Sequence, residues 1–229
     1  ALLWKGTSDK LRQAASTWMN PVLLVRWGWA YLSLSLRFLA MPAISNLWVA
    51  ELTKLMEIRG PTARMLRVTM QLSEEAIALD PEYADAYSIL GVAHVILVAI
   101  GASESPGESL RRSLELGKKA VALDESSSFA HANLAFPYVY LKEFDKAIEE
   151  AEKAVSLSPN SAGGYFALGT ALHSAGRPKE AIPIFQKCLR LSPIPVHSNV
   201  LVGLANSYVL IGQNEEAIAT YKRVFEIFG

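Results

Sequence analysis

Four histidines, one cysteine and three acidic pairs are the residues whose types could carry acid–base, nucleophilic or metal chemistry. Their spacing works against each of these. His94, His131, His173 and His197 are scattered over separate segments, and no H-E-x-x-H, C-x-x-C, G-x-x-x-x-G-K-[ST] or G-x-G-x-x-G pattern occurs. Cys188 is the single cysteine, so it closes no internal disulfide. It stands where a small alanine recurs elsewhere, which reads as a buried structural thiol. The pairs Glu74-Glu75, Glu149-Glu150 and Glu215-Glu216 have lysines or arginines nearby and read as solvated helix faces. His94 and His131 take places of large core residues and are expected to pack. The sequence therefore predicts no catalytic residue, no metal site and no cofactor.

The elements that position these residues are repeats. A-I-A-L-D-P at Ala76–Pro81 returns as A-V-A-L-D-E at Ala120–Glu125, A-V-S-L-S-P at Ala154–Pro159 and C-L-R-L-S-P at Cys188–Pro193. The intervals are 44, 34 and 34 residues, then 36 to Val224. Small residues Gly91, Ala135, Gly169 and Ala205 recur at the eighth place, and Ala147, Ala181 and Ala217 at the twentieth, where paired helices must approach closely. Larger side chains there cost about 1–3 kcal/mol each.

A period near 34 built of helix-turn-helix units identifies the chain as resembling the tetratricopeptide repeat family. The expected fold is all-α, a right-handed helix-turn-helix solenoid preceded by an apolar helical arm. The arm covers 1–45, with helices near Ser8–Met19 and Pro21–Ala40. The solenoid covers 46–229 as about five repeats, 46–83, 84–127, 128–161, 162–195 and 198–229. Asn46 is expected to cap a helix to Arg59, and Thr62 to open one that ends at Leu79. The long second interval predicts an extended first helix, a loop at Gly101–Gly107 and a second helix near Glu108–Leu123. Pro137 and Pro183 are expected to bend their helices.

The resemblance is closer over Tyr83–His94, Ser103–Leu110 and Ala175–Ile182, which look like the C-terminal repeats of prokaryotic class III nucleotide cyclase-like signalling proteins. That implies a prokaryotic-type regulatory or scaffolding module. Tetratricopeptide repeats also imply which places line the concave face: Phe129, Ala132, Asn133, Phe136, Val139 and Tyr140 in the third repeat, Gly163, Phe166, Ala167, Thr170, His173 and Ser174 in the fourth, and Asn199, Val202, Gly203, Asn206, Val209 and Leu210 in the fifth. No lysine or arginine is among them, which argues against capture of a C-terminal carboxylate. Phe129, Asn133, Phe136, Tyr140, Phe166, His173 and Asn206 are the expected partner-groove residues, suited to an apolar peptide or helix whose backbone the amides fix.

Charge separates the two ends. Lysines and arginines balance aspartates and glutamates at 22 each, which gives no reason to expect nucleic acid. Residues 1–50, however, carry Lys5, Lys10, Arg12, Arg26 and Arg37 against Asp9 alone, a net of +4 that leaves −4 for the remainder. All five tryptophans, Trp4, Trp18, Trp27, Trp29 and Trp48, lie there too. Val22–Ala40 is almost continuously apolar, with Arg26 and Arg37 near its ends. This length is near the minimum that spans a bilayer, and tryptophans near one end suit an interfacial anchor. Arg26, Trp27, Trp29 and Arg37 are therefore the expected membrane or subunit contacts of 21–40. Burial against a partner subunit or the first repeat is the alternative.

The functional expectation is a non-catalytic scaffold or assembly subunit, membrane-associated through the arm and holding a protein segment in the groove. The alternative is a soluble, cytoplasmic regulatory module of a cyclase-like system. A last repeat with no polar capping helix also raises self-association.

Overall fold

Runs of alanine, leucine and charged residues at helical spacing, punctuated by glycine, proline and serine, form helices and no strand among the described residues. The computed structural model describes residues 63–192 and 198–228. Helix α1 covers 63–79. It is followed by α2 (Ala84–Ala99), α3 (Pro106–Leu123), α4 (Ser128–Tyr140), α5 (Phe144–Leu157), α6 (Ala162–Ser174), α7 (Pro178–Leu191), α8 (Ser198–Leu210) and α9 (Asn214–Phe228). The arm at 1–45, with Arg26, Trp27, Trp29 and Arg37, lies outside the described residues. So do the helix expected from Asn46 to Arg59 and His197. No helix among the described residues is long and apolar enough to cross a membrane.

The fold is an all-helical solenoid of two layers. The A helices α2, α4, α6 and α8 pack on one another in order, while the B helices α3, α5 and α7 make their substantial contacts with A helices. In a curved two-layer stack the layer whose members touch is the inner one, so the A helices line the concave side. The core runs between the layers as a chain of small and large residues, among them Ala135, Ala147, Ala151, Ala171, Ala181, Phe185 and Leu204.

Each A helix ends in the same way. The residue after the C-cap is left-handed: Gly101 (φ 66°), Lys142 (φ 62°), Gly176 (φ 75°) and Gly212 (φ 79°). The next N–H then reaches back five residues, Glu143 to the Tyr138 carbonyl at 2.9 Å and Arg177 to that of Leu172 at 2.9 Å. This closure satisfies the last helical carbonyls and turns the chain into the B helix. The recurring aspartate after each early B helix has a local duty: Asp80 Oδ1 accepts from Glu82 N at 3.0 Å and Asp124 Oδ1 from Ser126 N at 2.9 Å.

The ten extra residues of the second repeat are shared out. Helix α2 has 16 residues where α4, α6 and α8 have 13, and α3 has 18 where α5 and α7 have 14. The remainder lengthens the loop, which ends sooner than expected because Pro106 starts α3. A proline there gives up no helical hydrogen bond. The two internal prolines do not interrupt their helices. Pro183 lies near the start of α7, and only the exposed Lys179 loses its carbonyl's partner. Pro137 lies one turn from the end of α4, where Leu141 N still donates to its carbonyl at 3.0 Å.

Candidate functional site

The A helices are unlike the B helices in charge. Across α2, α4, α6 and α8 the only formally charged side chain is Asp85, whereas each of α3, α5, α7 and α9 carries at least four. A helix apolar on every face is one that expects to be covered on every face. Neighbouring A helices and B helices pack against each of α4 and α6.

The structure brings part of the expected groove together. Phe136 of α4 and Phe166 of α6 pair across the repeat boundary with ring centroids 5.6 Å apart and planes tilted by 47°. Both rings are half-buried against the core. Phe129 stands 47% exposed near the start of α4, and Val209 and Leu210 are 43% and 58% exposed at the end of α8. Tyr140 is half-buried, and desolvation pushes its phenol far above the ordinary range. The lengthened α2 adds Ile89, Val92 and Ile96, partly or well exposed at the matching places, which the sequence reading did not include.

Other expected lining residues face elsewhere. Ala132, Ala167 and Val202 are buried. Gly203 lies under the Phe185 ring of the preceding B helix: a Cβ there would come 2.7 Å from Cζ. The same ring closes on Gly169, where a Cβ would come 2.6 Å from Cε1. At the α3–α4 contact the sizes are exchanged, with Gly117 receiving Leu134.

The polar groups of the trough are partly committed. His173 Nδ1 lies 2.9 Å from Ser207 Oγ on the next A helix, and Ser207 donates to the Gly203 carbonyl at 2.8 Å. Burial lowers the His173 pKa below its usual value. Tyr221 donates to Asn206 Oδ1. Asn133 Nδ2 is buried without a hydrogen-bond partner. Pro137, four residues on, has no N–H to give the Asn133 carbonyl.

The remaining candidates for chemistry lie on separate elements, His94 on α2, His131 on α4 and Cys188 on α7. His131 is buried, with Nδ1 2.6 Å from Glu150 Oε2 and Nε2 3.1 Å from the Glu125 carbonyl, so it ties α4 to α5 and to the preceding loop. His94 is half-buried, and burial chiefly, then Arg112, lowers its pKa. Cys188 is buried, its thiol donates to the Ala162 carbonyl at 3.2 Å, and burial pushes its pKa up to about 11. Among the described residues no group of three or more His, Cys, Asp or Glu side chains could hold a metal ion.

The comparisons with known proteins agree with the helical repeat fold. Family models described as tetratricopeptide repeat match residues 130–161 and 164–228. The small glutamine-rich tetratricopeptide repeat-containing protein 2 of Saccharomyces cerevisiae is 35% identical over 31% of this chain and 20% of its own length. Anaphase-promoting complex subunit 7 of Homo sapiens is 30% identical over 39% of this chain and 16% of its own. The chain thus matches about a fifth or less of these curated relatives. Among solved structures, a thermophilic tetratricopeptide repeat protein of Thermus thermophilus superposes with a TM-score of 0.57 at 21% identity, covering 69% of this chain and 80% of that one. MamA AMB-1 does so at 0.50 and 26%, covering 72% and 91%. Residues 130–161 and 164–228 are tetratricopeptide repeats, set in an all-helical solenoid.

Proposed function

We propose that this chain is a non-catalytic scaffold whose concave A-helix face holds an uncharged, apolar segment of a partner protein. The observation that carries this reading is the charge split between the layers, with Asp85 alone on four A helices. A charged partner would bury unpaired charge against the Phe136–Phe166 pair, at a cost of several kcal/mol. An apolar one would remove the exposed face of Phe129 from water. The names of relatives support an assembly role: one is a subunit of the anaphase-promoting complex.

The segment 21–40 attaches this scaffold to a membrane or to membrane-complex subunits, with Arg26, Trp27, Trp29 and Arg37 as contacts. Its apolar run and clustered tryptophans support that placement.

The reading is tested by Phe136→Ser with Phe166→Ser. Loss of partner recovery with the helical spectrum intact is expected, and unchanged recovery would sink it. Flotation with anionic liposomes tests the arm: the full chain is expected to float after a high-salt wash, and a chain beginning at Ser45 to stay below. The cyclase-linked reading rests on the resemblance at Tyr83–His94 and Ala175–Ile182. An adjacent cyclase domain in the intact protein would favour it.

A further inference from the structure

Helix α1 ends in the recurring Ala76–Pro81 phrase, which marks it as the B helix of its repeat. It has a buried side, at Ala63, Leu66 and Ser73, and an apolar stripe that is not buried. Met65, Val68, Leu72 and Leu79 stand 67%, 52%, 59% and 89% exposed. Their spacing of three, four and seven residues keeps them within an arc of about 60°. Such a narrow stripe is the seam of a helix pair, not the broad face that a globular helix buries.

The other B helices lack this stripe. At the place of Val68 they carry Arg112, Lys146, Glu180 and Glu216, all exposed. At the place of Met65 the chain has Ser109, Glu143, Arg177 and Gln213, none of them buried. Helices α3, α5 and α7 each pack on the A helix of their own repeat and still leave the place of Val68 to solvent. An A helix of its own repeat is therefore not what Val68 awaits. The charges differ as well. Glu75 stands where Lys119, Lys153, Lys187 and Arg223 recur, and Arg64 lies at the opposite end of the stripe. A cation near the start of a helix and an anion near its end oppose the helix dipole. Gln71 Nε2 donates to Glu75 Oε1 at 2.9 Å, which holds that carboxylate beside the stripe. Arg64 has no ion-pair partner among the described residues.

An antiparallel copy of the same helix meets each of these features. A two-fold axis crossing the stripe near Met70 sets Val68 beside Leu72 of the second copy, and Leu72 beside its Val68. Antiparallel helices bring the same flank together, so Arg64 comes beside Glu75 of the second copy, twice by symmetry. Parallel copies would set Arg64 against Arg64 and Glu75 against Glu75. We propose that the α1 stripe is a self-complementary interface through which two copies of this chain pair in antiparallel fashion. It is separate from the A-helix trough. A helix about 25 Å long buries less than the roughly 800 Å² per partner of a standard interface, so the dimer is weak and depends on concentration.

The test is sedimentation velocity of the full chain from about 1 to 200 µM, with the helical spectrum recorded for every variant. A monomer–dimer equilibrium with Kd on the order of 10 µM is expected. Val68→Arg should raise Kd at least about tenfold. Arg64→Glu and Glu75→Arg should each raise it about five- to tenfold, and the two together should return it to within about twofold of the original, because the double swap restores both cross-pairs. A chain that stays monomeric over the range overturns the proposal, whether another segment of the chain or a different protein covers the stripe. A dimer indifferent to Val68→Arg, or one that the double swap fails to restore, overturns it as well. The equilibrium is read first on the unmutated chain, and all three substituted positions are exposed, so a poorly folding variant does not decide the result. None of these outcomes bears on binding in the trough.

Discussion

The Phe185 ring is held between Gly169 of its own repeat and Gly203 of the next, and neither glycine has room for a Cβ. One aromatic ring thus joins two successive A helices through the B layer. Gly169→Ala and Gly203→Ala should each destabilise the protein by about 1–3 kcal/mol. In a Phe185→Leu background the cost of either should shrink, which a double-mutant cycle by urea unfolding measures. Gly107 is the control, since nothing lies within 4 Å of its added Cβ. Gly107→Ala in α3 should stabilise by about 0.5–1 kcal/mol.

Lys142 occupies the left-handed position that Gly101, Gly176 and Gly212 take in the other repeats. A residue with a Cβ costs about 1–2 kcal/mol there. Lys142→Gly should therefore raise stability by about 1 kcal/mol, less the flexibility that glycine adds to the unfolded chain. An unchanged or lowered urea midpoint would contradict this.

His131 meets two acceptors at once, the Glu150 carboxylate and the Glu125 carbonyl. Glu150→Leu leaves the ring's Nδ1 without its partner in a buried place. It should cost about 1–3 kcal/mol, while Glu149→Leu on the exposed face next to it should change stability by less than about 0.5 kcal/mol. Equal effects would show that the tie between α4 and α5 contributes nothing particular.

The His173 pKa is lowered by burial, and that of His94 by burial and Arg112. A histidine kept neutral by the fold contributes stability that is complete above its unfolded value of 6.5 and is lost as pH falls through the lower folded value. Melting temperature should therefore hold from about pH 8 to 7 and decline below about pH 6.5. His173→Asn should flatten part of that decline. Cys188 supplies a further check at the alkaline side. With its thiol raised to about 11 and buried, it should resist a thiol reagent at about pH 8 until the chain unfolds.

The repeat register was legible because helix approach leaves little choice of side chain: Gly91, Ala135, Gly169 and Ala205 announced one close contact, and Ala147, Ala181 and Ala217 its counterpart. What lay between repeats was less legible. Gly203 looked like a trough residue, yet it serves Phe185, a ring standing where the preceding repeat has Ala151. Sequence shows that Phe185 is large but not which way it leans. The His173–Ser207 contact joins residues 34 apart whose offset is set by the stagger of one A helix on the next, and no single repeat records that stagger. Pro137 and Pro183 stand in helices that continue through them, each leaving one carbonyl, that of Asn133 or Lys179, without its helical donor.

The proposed partner segment, free of charge, sits on the A-helix face and not on the B-helix face. The most direct measurement places a photo-crosslinking phenylalanine at Phe136, and separately at Glu149 on the outer layer, in the full chain in cells. An adduct from position 136 is expected to map to an uncharged, apolar stretch of a protein, with none from 149. Adducts from 149 alone, or adducts from 136 that map to charged segments, would contradict it.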